Sequence, residues 1–193
     1  MTNKIYITAQ QLLRDSFELG IKILESDFKP SFIIGVWRGG TPIGIAVQEL
    51  LEFSGVASDH ISVRTSSYNG IGKRNNKVRV HGLGYIVKTI NAEDSLLIID
   101  DVHDTGRSVQ EIIRQLKRKC RKNTPKEIRV ATLYFKPDCN EVDFQPDYYL
   151  HATNDWLIFP HELAGLSQSE VNCEKPDIDH IKRWLLEHGQ MGS

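Results

Sequence analysis

The residues best placed for chemistry lie in one stretch, where two adjacent carboxylates, Asp100 and Asp101, follow four aliphatic residues at 96–99. The aliphatic run predicts a buried strand, and open α/β sheets bind ligands at the carboxyl ends of their strands. Because two carboxylates would repel a phosphate, we interpret the pair as acceptors for two neighbouring ribose hydroxyls, or as magnesium ligands acting through water.

A short turn follows the acid pair and runs into a predicted helix. Gly106 lets the backbone approach an anion closely, and Thr105 and Ser108 add hydroxyl donors. Backbone N–H groups at such a helix start bind phosphate, aided by the helix dipole. The segment therefore predicts a sugar-binding site beside a phosphate-binding site, and the two together would bind a ribose 5-phosphate. A capped helix after an acidic strand end explains each residue singly, but not three carboxylates in five positions.

Residues 96–108 (LLIIDDVHDTGRS) resemble the phosphoribosyl pyrophosphate signature of the type I phosphoribosyltransferases at thirteen consecutive positions. That signature is an aliphatic strand, two acids, two variable residues, and then Asp-Thr-Gly-x-Ser/Thr. The resemblance implies that Asp100 and Asp101 hold the ribose hydroxyls and Mg²⁺, and that Asp104 is the catalytic base. His103 occupies a variable position, and we interpret it as a spacer. The residues that the resemblance assigns to the 5′-phosphate are Asp104, Thr105, Gly106, Arg107 and Ser108.

A second strand, turn and helix unit lies upstream at residues 33–42 (IIGVWRGGTP). Arg38 and Gly39 offer a cation and a bare N–H group to a leaving pyrophosphate, although a simple tight turn explains them about as well. In this place the unit resembles the pyrophosphate loop of the family, which has a basic residue before Gly-Gly. Trp37 stands where a smaller residue is often seen, and we expect it to pack structurally.

We expect the nucleobase, the acceptor of the ribose, to contact two later segments, 135–137 (FKP) and 155–162 (DWLIFPHE). Both resemble the xanthine-guanine and hypoxanthine-guanine branch of the family. The resemblance implies that Lys136 meets the purine 6-oxo group, that Trp156 stacks on the base, and that backbone groups at Leu157 read its other edge. Glu162 stands in the place of a magnesium-binding acid, but His161 stands where an aromatic residue often lies. A core tryptophan and a solvated lysine remain the alternative.

Residues 66–84 are rich in Gly, Asn and Ser, and predict a long mobile loop. The resemblance implies a lid over the reacting centre, and Ser66, Ser67 and Tyr68 are similar to the Ser-Tyr at the start of that lid. Four basic residues of this loop could contact pyrophosphate or could simply be solvated: Lys73, Arg74, Lys77 and Arg79.

The elements that must position these residues alternate in type along the chain. Short apolar runs predict strands at 31–36, 61–65, 96–99 and 128–135. Amphipathic segments predict helices at 41–53, 107–119 and 177–188, and a first helix that Thr8 caps and that continues to Leu24. In that first helix we expect one buried stripe, made of Leu12, Leu13, Phe17 and Ile21.

The composition is that of an ordinary globular protein. Hydrophobic residues make up 40% and charged residues 25%, and 24 basic residues nearly balance 25 acidic ones. The balance does not point to nucleic acid or to a membrane, and the first residues lack the apolar core of a secretion signal. Three widely spaced cysteines with no CxxC predict reduced thiols and a cytoplasmic setting, and argue against a zinc site.

We therefore expect an α/β fold with a mainly parallel sheet flanked by helices, and one domain over residues 1–193. Its core would span about 28–140, a small hood for the base about 141–170, and a terminal helix about 177–188. The resemblance implies an Mg²⁺-dependent transfer between a purine base and phosphoribosyl pyrophosphate, in a dimer or tetramer. A non-catalytic regulatory or RNA-binding module, which would use the basic residues at 117–122, is the alternative, and a pyrimidine transferase is another. The choice among hypoxanthine, guanine and xanthine stays open.

Overall fold

The computed structural model describes residues 3–68, 77–176 and 178–188. The chain forms two compact units. The larger comprises residues 13–154, and the smaller comprises residues 1–12 together with 155–193.

The described part of the chain contains eight strands, six α-helices and two three-residue 3₁₀-helices. The strands are β1 Lys4–Tyr6, β2 Phe32–Trp37, β3 Asp59–Tyr68, β4 Lys77–His81, β5 Ser95–His103, β6 Glu127–Phe135, β7 Tyr148–Ala152 and β8 Trp156–Ile158. The helices are α1 Ala9–Leu24, α2 Gly40–Phe53, α3 Gly84–Thr89, α4 Arg107–Cys120, α5 Gln168–Glu174 and α6 Asp179–His188.

A six-stranded sheet of order β4-β3-β2-β5-β6-β7 is the centre of the larger unit. Every neighbouring pair is parallel except β3 and β4, which form an antiparallel pair at one edge. The predicted α/β class with a mainly parallel sheet is therefore confirmed. In such a sheet the carboxyl ends of β2 and β5, which are direct neighbours, lie at the same edge.

The core of this unit is built on β5. Its aliphatic run, 96–99, is fully buried, and each side chain contributes about 2 kcal/mol through burial of apolar surface. Ile86 of α3 and Ile112 and Leu116 of α4 share one buried cluster with Leu96 and Ile98 of this run. A rigid, apolar strand thus carries the acid pair to the edge of the sheet.

Helix α1 begins where predicted, but it buries a different face. Thr8 Oγ1 accepts the N–H of Gln11 at 3.1 Å, which is the expected cap. The predicted stripe is wrong beyond Leu12, because the buried face runs instead through Asp15, Ser16, Leu19 and Ile23, while Leu13, Phe17 and Ile21 are exposed. This face carries polar residues as well as aliphatic ones, and its buried Asp15 carboxylate pairs with His151 Nε2 at 2.9 Å, so a search for an apolar stripe alone misses it.

The segment predicted as a continuous loop at 66–84 is partly regular. β3 runs to Tyr68, β4 occupies 77–81 and α3 begins at Gly84. The long antiparallel pairing of β3 with β4, from Arg64 opposite His81 to Tyr68 opposite Lys77, accounts for the difference. Residues 69–76, including Lys73 and Arg74, lie outside the described part of the chain.

The smaller unit contains a two-stranded parallel sheet of β1 and β8, together with α5 and α6. Ser167 and Glu170 form a reciprocal capping box at the start of α5. The Lys4 ammonium pairs with the Glu170 carboxylate, which also accepts a hydrogen bond from the Tyr6 hydroxyl at 2.8 Å.

Part of the segment predicted as a hood, residues 148–152, forms the edge strand β7 of the large sheet. Among the described helices, none combines the length and the apolar character needed to cross a bilayer.

Candidate active site

The acid pair lies in the last part of β5, where the strand leaves the apolar core. Both side chains are partly buried, and the Val102 N–H donates to Asp101 Oδ1 at 2.8 Å. Burial and the neighbouring Asp101 charge raise the pKa of Asp100 well above its ordinary value. Two half-buried carboxylates therefore face the sheet edge in an arrangement that a diol or a cation would stabilise.

The turn after the acid pair is open. A recess of about 70 Å³ is lined by Asp100 and by the turn itself, including Thr105, Gly106 and Ser108. Gly106 takes a left-handed φ of +74° at the start of α4, and no side chain makes a capping bond there. A Cβ at this position would also lie 2.5 Å from Val142 Cγ2. The turn thus depends on glycine, and the helix start that it opens is suited to a phosphate.

Two charged residues of the turn differ in their surroundings. The Asp104 side chain is exposed at the edge of the recess. The Arg107 guanidinium forms an ion pair with the Glu141 carboxylate, so a phosphate would meet the backbone of Arg107 more directly than its side chain.

The turn between β2 and α2 packs directly against the acid pair. A Cβ at Gly39 would lie 1.6 Å from Asp101 Oδ2, and a Cβ at Gly40 would lie 2.3 Å from the carbonyl oxygen of Ile99. The Trp37–Arg38 peptide is cis. Trp37 is 53% exposed, so the expectation that it packs structurally is wrong. The structure therefore brings Gly39 next to Asp101, while Arg38 lines a recess with Trp37, Arg64 and Thr65.

Lys136 follows β6 at the same edge and is only 9% exposed, so it is not a solvated strand end. Its N–H donates to the carbonyl oxygen of His103 at 2.9 Å, which ties it to the end of β5. Burial, and then a hydrogen bond to the Asp104 carboxylate, raise the pKa of the Cys139 thiol, while the charge of Lys136 lowers it. Asp104 and Lys136 thus lie around the thiol of Cys139, a residue that the sequence analysis did not connect with the site.

His103 supports the turn rather than acting as a spacer. Its ring is buried against Phe135 and Phe144, and burial lowers its pKa. The Asn140 amide nitrogen donates to the carbonyl oxygens of Val142 and Phe144, so Asn140 Oδ1 accepts from His103 Nε2 at 3.2 Å. His103 Nε2 therefore carries a proton, which it donates to Asn140 Oδ1. No spacing in the sequence connects these two residues, which lie 37 positions apart.

The remaining predicted residues belong to the smaller unit. Trp156 is 60% exposed at the start of β8, whereas the Leu157 side chain is buried. Glu162 Oε2 accepts the N–H of Phe159 at 2.9 Å. Trp156 is thus an exposed aromatic face, and the alternative that it is a core residue is wrong.

The donors present fit magnesium better than a transition metal. Across the described ranges, no three His, Cys, Asp or Glu side chains converge as a ligand set. Mg²⁺ commonly keeps several waters and binds one or two carboxylates together with substrate oxygens. The partly buried pair Asp100 and Asp101, with the pKa of Asp100 raised, suits such a shared ion.

Comparison with known proteins agrees with this geometry. Residues 4–165 match the family model of the phosphoribosyl transferase domain. Hypoxanthine-guanine phosphoribosyltransferases of Lactococcus lactis and Streptococcus agalactiae are 25% and 27% identical, over 93% of this chain and 91% and 93% of theirs. The crystal structure of the purine phosphoribosyltransferase of Pyrococcus horikoshii is 30% identical, with a TM-score of 0.66 over 85% of this chain and 97% of that one.

Proposed function

The chain belongs to the phosphoribosyl transferase family, and from this premise we propose that it is a purine salvage enzyme. It joins hypoxanthine, guanine or xanthine to phosphoribosyl pyrophosphate and yields a nucleoside 5′-monophosphate and pyrophosphate. One observation carries the proposal: the acid pair at the end of β5 lies between an open phosphate turn on one side and the Arg38–Gly39 turn on the other. The relatives named for hypoxanthine and guanine support the purine class.

The chemistry assigned to these residues is a displacement at the anomeric carbon. Purine N9 forms the new bond as the bond to pyrophosphate breaks, and the electron pair leaves with the pyrophosphate. Arg38 and the Gly39 N–H stabilise the negative charge that grows on the leaving group. Asp100 and Asp101 hold the ribose hydroxyls, and residues 104–108 hold the 5′-phosphate.

Asp104 accepts the proton from purine N7, which makes N9 the better nucleophile. Its exposure at the edge of the recess supports this role, because the carboxylate is open to a bound base. Asp104 is on the same turn as the N–H and hydroxyl groups assigned to the 5′-phosphate, so one element would align the purine with the sugar.

Lys136 is assigned to the 6-oxo group, and Trp156 and Leu157 to the ring face and the other edge of the base. The burial of Lys136 and the exposure of Trp156 support these roles, since a stacking face must be open. Magnesium would be held by Asp100 and Asp101, with Glu162 as a further contact, and it neutralises phosphate charge when bound.

A cytoplasmic location and a homo-oligomer are part of the proposal. The three cysteines are free thiols, as in a reducing compartment. Leu13, Phe17 and Ile21 form an exposed apolar stripe on α1, which supports a dimer or tetramer; sedimentation measures the oligomeric state.

The regulatory or RNA-binding alternative is not favoured, because the basic residues that end α4 complement the helix dipole.

One assay tests the function. Pyrophosphate release from phosphoribosyl pyrophosphate is measured with Mg²⁺, and hypoxanthine, guanine, xanthine and a pyrimidine are each offered separately. Release with at least one purine is expected, and release with the pyrimidine alone, or with no base, would overturn the proposal.

The Asp104→Asn variant tests the assignment of Asp104 as the general base. We expect kcat to fall by about 10²-fold or more, the range of general-base catalysis, with little change in the KM for phosphoribosyl pyrophosphate. Asp143→Asn is the matched control, because that carboxylate is also exposed in the larger unit. Equal losses in kcat and in phosphoribosyl pyrophosphate binding would contradict the assignment.

A further inference from the structure

A buried lysine of the smaller unit has no part in the chemistry assigned so far. Lys175 directly follows α5, and only 5% of its surface is exposed. An ammonium group that is removed from water costs free energy unless it is paired or hydrogen-bonded. Burial accordingly lowers the pKa of Lys175, and the nearby Glu162 carboxylate opposes this effect. The contacts of the ammonium group must therefore compensate for its burial.

The ammonium group of Lys175 holds a turn that lies 16 positions earlier in the chain. It donates to the carbonyl oxygen of Phe159, which also accepts the N–H of Glu162 at 3.0 Å. In return, Glu162 Oε2 accepts the N–H of Phe159 at 2.9 Å. The two ends of the turn at 159–162 are thus bonded to each other twice and to Lys175 once.

This turn directly follows the strand to which we assign the purine. β8 has three residues and ends at Ile158, and β1 is its partner in a two-stranded sheet. A two-stranded sheet is only marginally stable in water, so the position of β8 depends on what holds its ends. The N–H of Trp156 donates to the carbonyl oxygen of Asn3 at 2.9 Å at the start of the strand. At its other end lies the turn that Lys175 holds.

We propose that Lys175 is a positioning residue for the purine. Its ammonium group fixes the turn at 159–162, and through this turn it fixes the Trp156 ring and the Leu157 backbone against the base. Lys175 acts through this segment and does not itself contact the purine. The inference rests on the proposed function and extends it to a residue outside the segment assigned to the base.

The expected effect is selective for one substrate. Lys175 and its contacts belong to the smaller unit, whereas the residues assigned to the ribose and to both phosphate groups belong to the larger. Loss of the ammonium group leaves the Phe159 carbonyl without its charged donor, and a charge-assisted hydrogen bond is among the stronger ones. A small displacement of a positioning segment is costly to a reaction, so the purine should be bound less well while phosphoribosyl pyrophosphate is bound as before.

The experiment compares Lys175→Met with Lys182→Met. Methionine keeps an unbranched, apolar side chain in the buried position and removes the charge. Lys182 is the matched control, because it lies in the same unit and also donates to a backbone carbonyl oxygen, that of Asn172, at 3.1 Å, while pairing with Asp179. Steady-state assays measure kcat and the KM for the purine and for phosphoribosyl pyrophosphate, at a temperature where thermal unfolding shows every protein to be folded.

For Lys175→Met, we expect the KM for the purine to rise by about tenfold or more, and the KM for phosphoribosyl pyrophosphate to stay within about twofold of the parent. Lys182→Met should leave both KM values within about twofold, even where its Tm falls. Lys175→Gln, which is neutral and shorter, should give the same selective rise, and it decides the question if the methionine variant does not fold.

Three kinetic results would overturn the inference: an unchanged purine KM in Lys175→Met, a parallel rise in both KM values, or an equal purine effect in Lys182→Met. Failure of both Lys175 variants to fold would also overturn it, since the lysine would then serve the fold alone. If the parent transfers no purine, the proposed function fails and the inference falls with it. An active parent with an unaffected variant contradicts the inference alone.

Discussion

At the scale of single residues, the site depends on how Gly39 fits against Asp101. Gly39 has a φ of −66°, which any residue adopts, so its backbone does not require glycine. What requires glycine is space, because an Asp101 oxygen occupies the position that a Cβ would take. The turn can approach the carboxylate only without a side chain.

Gly39→Ala should therefore displace either the turn or the Asp101 carboxylate. We expect kcat/KM for phosphoribosyl pyrophosphate to fall by about tenfold or more, with only a small fall in Tm, since the conformation itself is allowed. Gly84→Ala is the control, because a Cβ there meets nothing within 4 Å. Full activity in Gly39→Ala would show that the contact has no importance.

The acid pair predicts a pH-dependent cost to stability. Asp100 has a raised pKa, first through burial and then through the charge of Asp101. Below the ordinary pKa of aspartate, about 3.9, the residue is neutral in both the folded and unfolded states and costs nothing. As the pH rises through the raised pKa, the folded state must ionise a carboxyl that it disfavours, and stability is lost.

Asp100→Asn should consequently raise the Tm near pH 8 by about 2–4 °C, which corresponds to about 1 kcal/mol in a chain of this size. This gain should shrink as the pH falls towards 4, and activity should be lost. Thermal unfolding across this pH range measures the effect, with Asp143→Asn as the exposed control. A gain that does not vary with pH would point to a cause other than ionisation.

At the scale of elements, the turn at 104–108, to which we assign the 5′-phosphate, is held by the segment that follows β6. The backbone N–H groups of Lys136 and Glu141 donate to the carbonyl oxygens of His103 and Thr105, at 2.9 and 3.1 Å. Asn140 adds the side-chain contact with His103. The lysine assigned to the base and the turn assigned to the phosphate are thus connected by one short, hydrogen-bonded segment.

Asn140→Ala should loosen this connection. It leaves the buried His103 Nε2–H without its acceptor and two carbonyl groups without their donor, which should cost about 1–3 kcal/mol of folding free energy. The affinity for a purine nucleoside monophosphate should fall as well, because the turn that holds its phosphate loses support. Thermal unfolding and nucleotide titration test this, with the exposed Asn123→Ala as control. A loss of stability with unchanged nucleotide affinity would restrict Asn140 to a structural role.

The sequence predicted the bounds of some elements closely and of others poorly. β2, β6, α2 and α4 lie close to their predicted bounds, because apolar runs and amphipathic periods of that length are strong local signals. β3 and β5 extend several residues beyond the apolar runs that predicted them. β1 and β8 have three residues each and form through pairing with each other across the chain, which no local pattern reveals. The buried face of α1 was mispredicted because it includes polar residues, and the partner of Asp15, His151, lies far along the chain.

At the scale of the whole molecule, the predicted site residues divide between the two units. The acid pair, both turns and Lys136 belong to the larger unit, and Trp156, Leu157 and Glu162 belong to the smaller. The motif at 96–108 could be identified from sequence because all of its members are consecutive. Cys139 and Asn140 could not, since only the packing of the 136–144 segment brings them to Asp104 and His103.

This division predicts separable effects on the two substrates. Trp156→Ala should raise the KM for the purine by about tenfold, a typical cost of losing one stacked base, and leave the KM for phosphoribosyl pyrophosphate within about twofold. The fold should persist, because the side chain is mostly exposed. Trp184→Ala, another exposed tryptophan of the smaller unit, is the control. A parallel rise in both KM values would contradict the assignment.

The order of the central sheet has a consequence for substrate length. The two turns that we assign to the 5′-phosphate and the pyrophosphate follow β5 and β2, which are adjacent strands joined by parallel hydrogen bonds from Phe32 opposite Leu96 to Gly35 opposite Ile99. Their separation is therefore fixed by the constant spacing of a β-ladder, about 4.8 Å, and not by flexible side chains. The strand spacing thus limits the distance between the two proposed anion sites. We expect that an analogue one carbon longer than a pentose 5-phosphate does not bind to both sites at once, however well its purine is recognised.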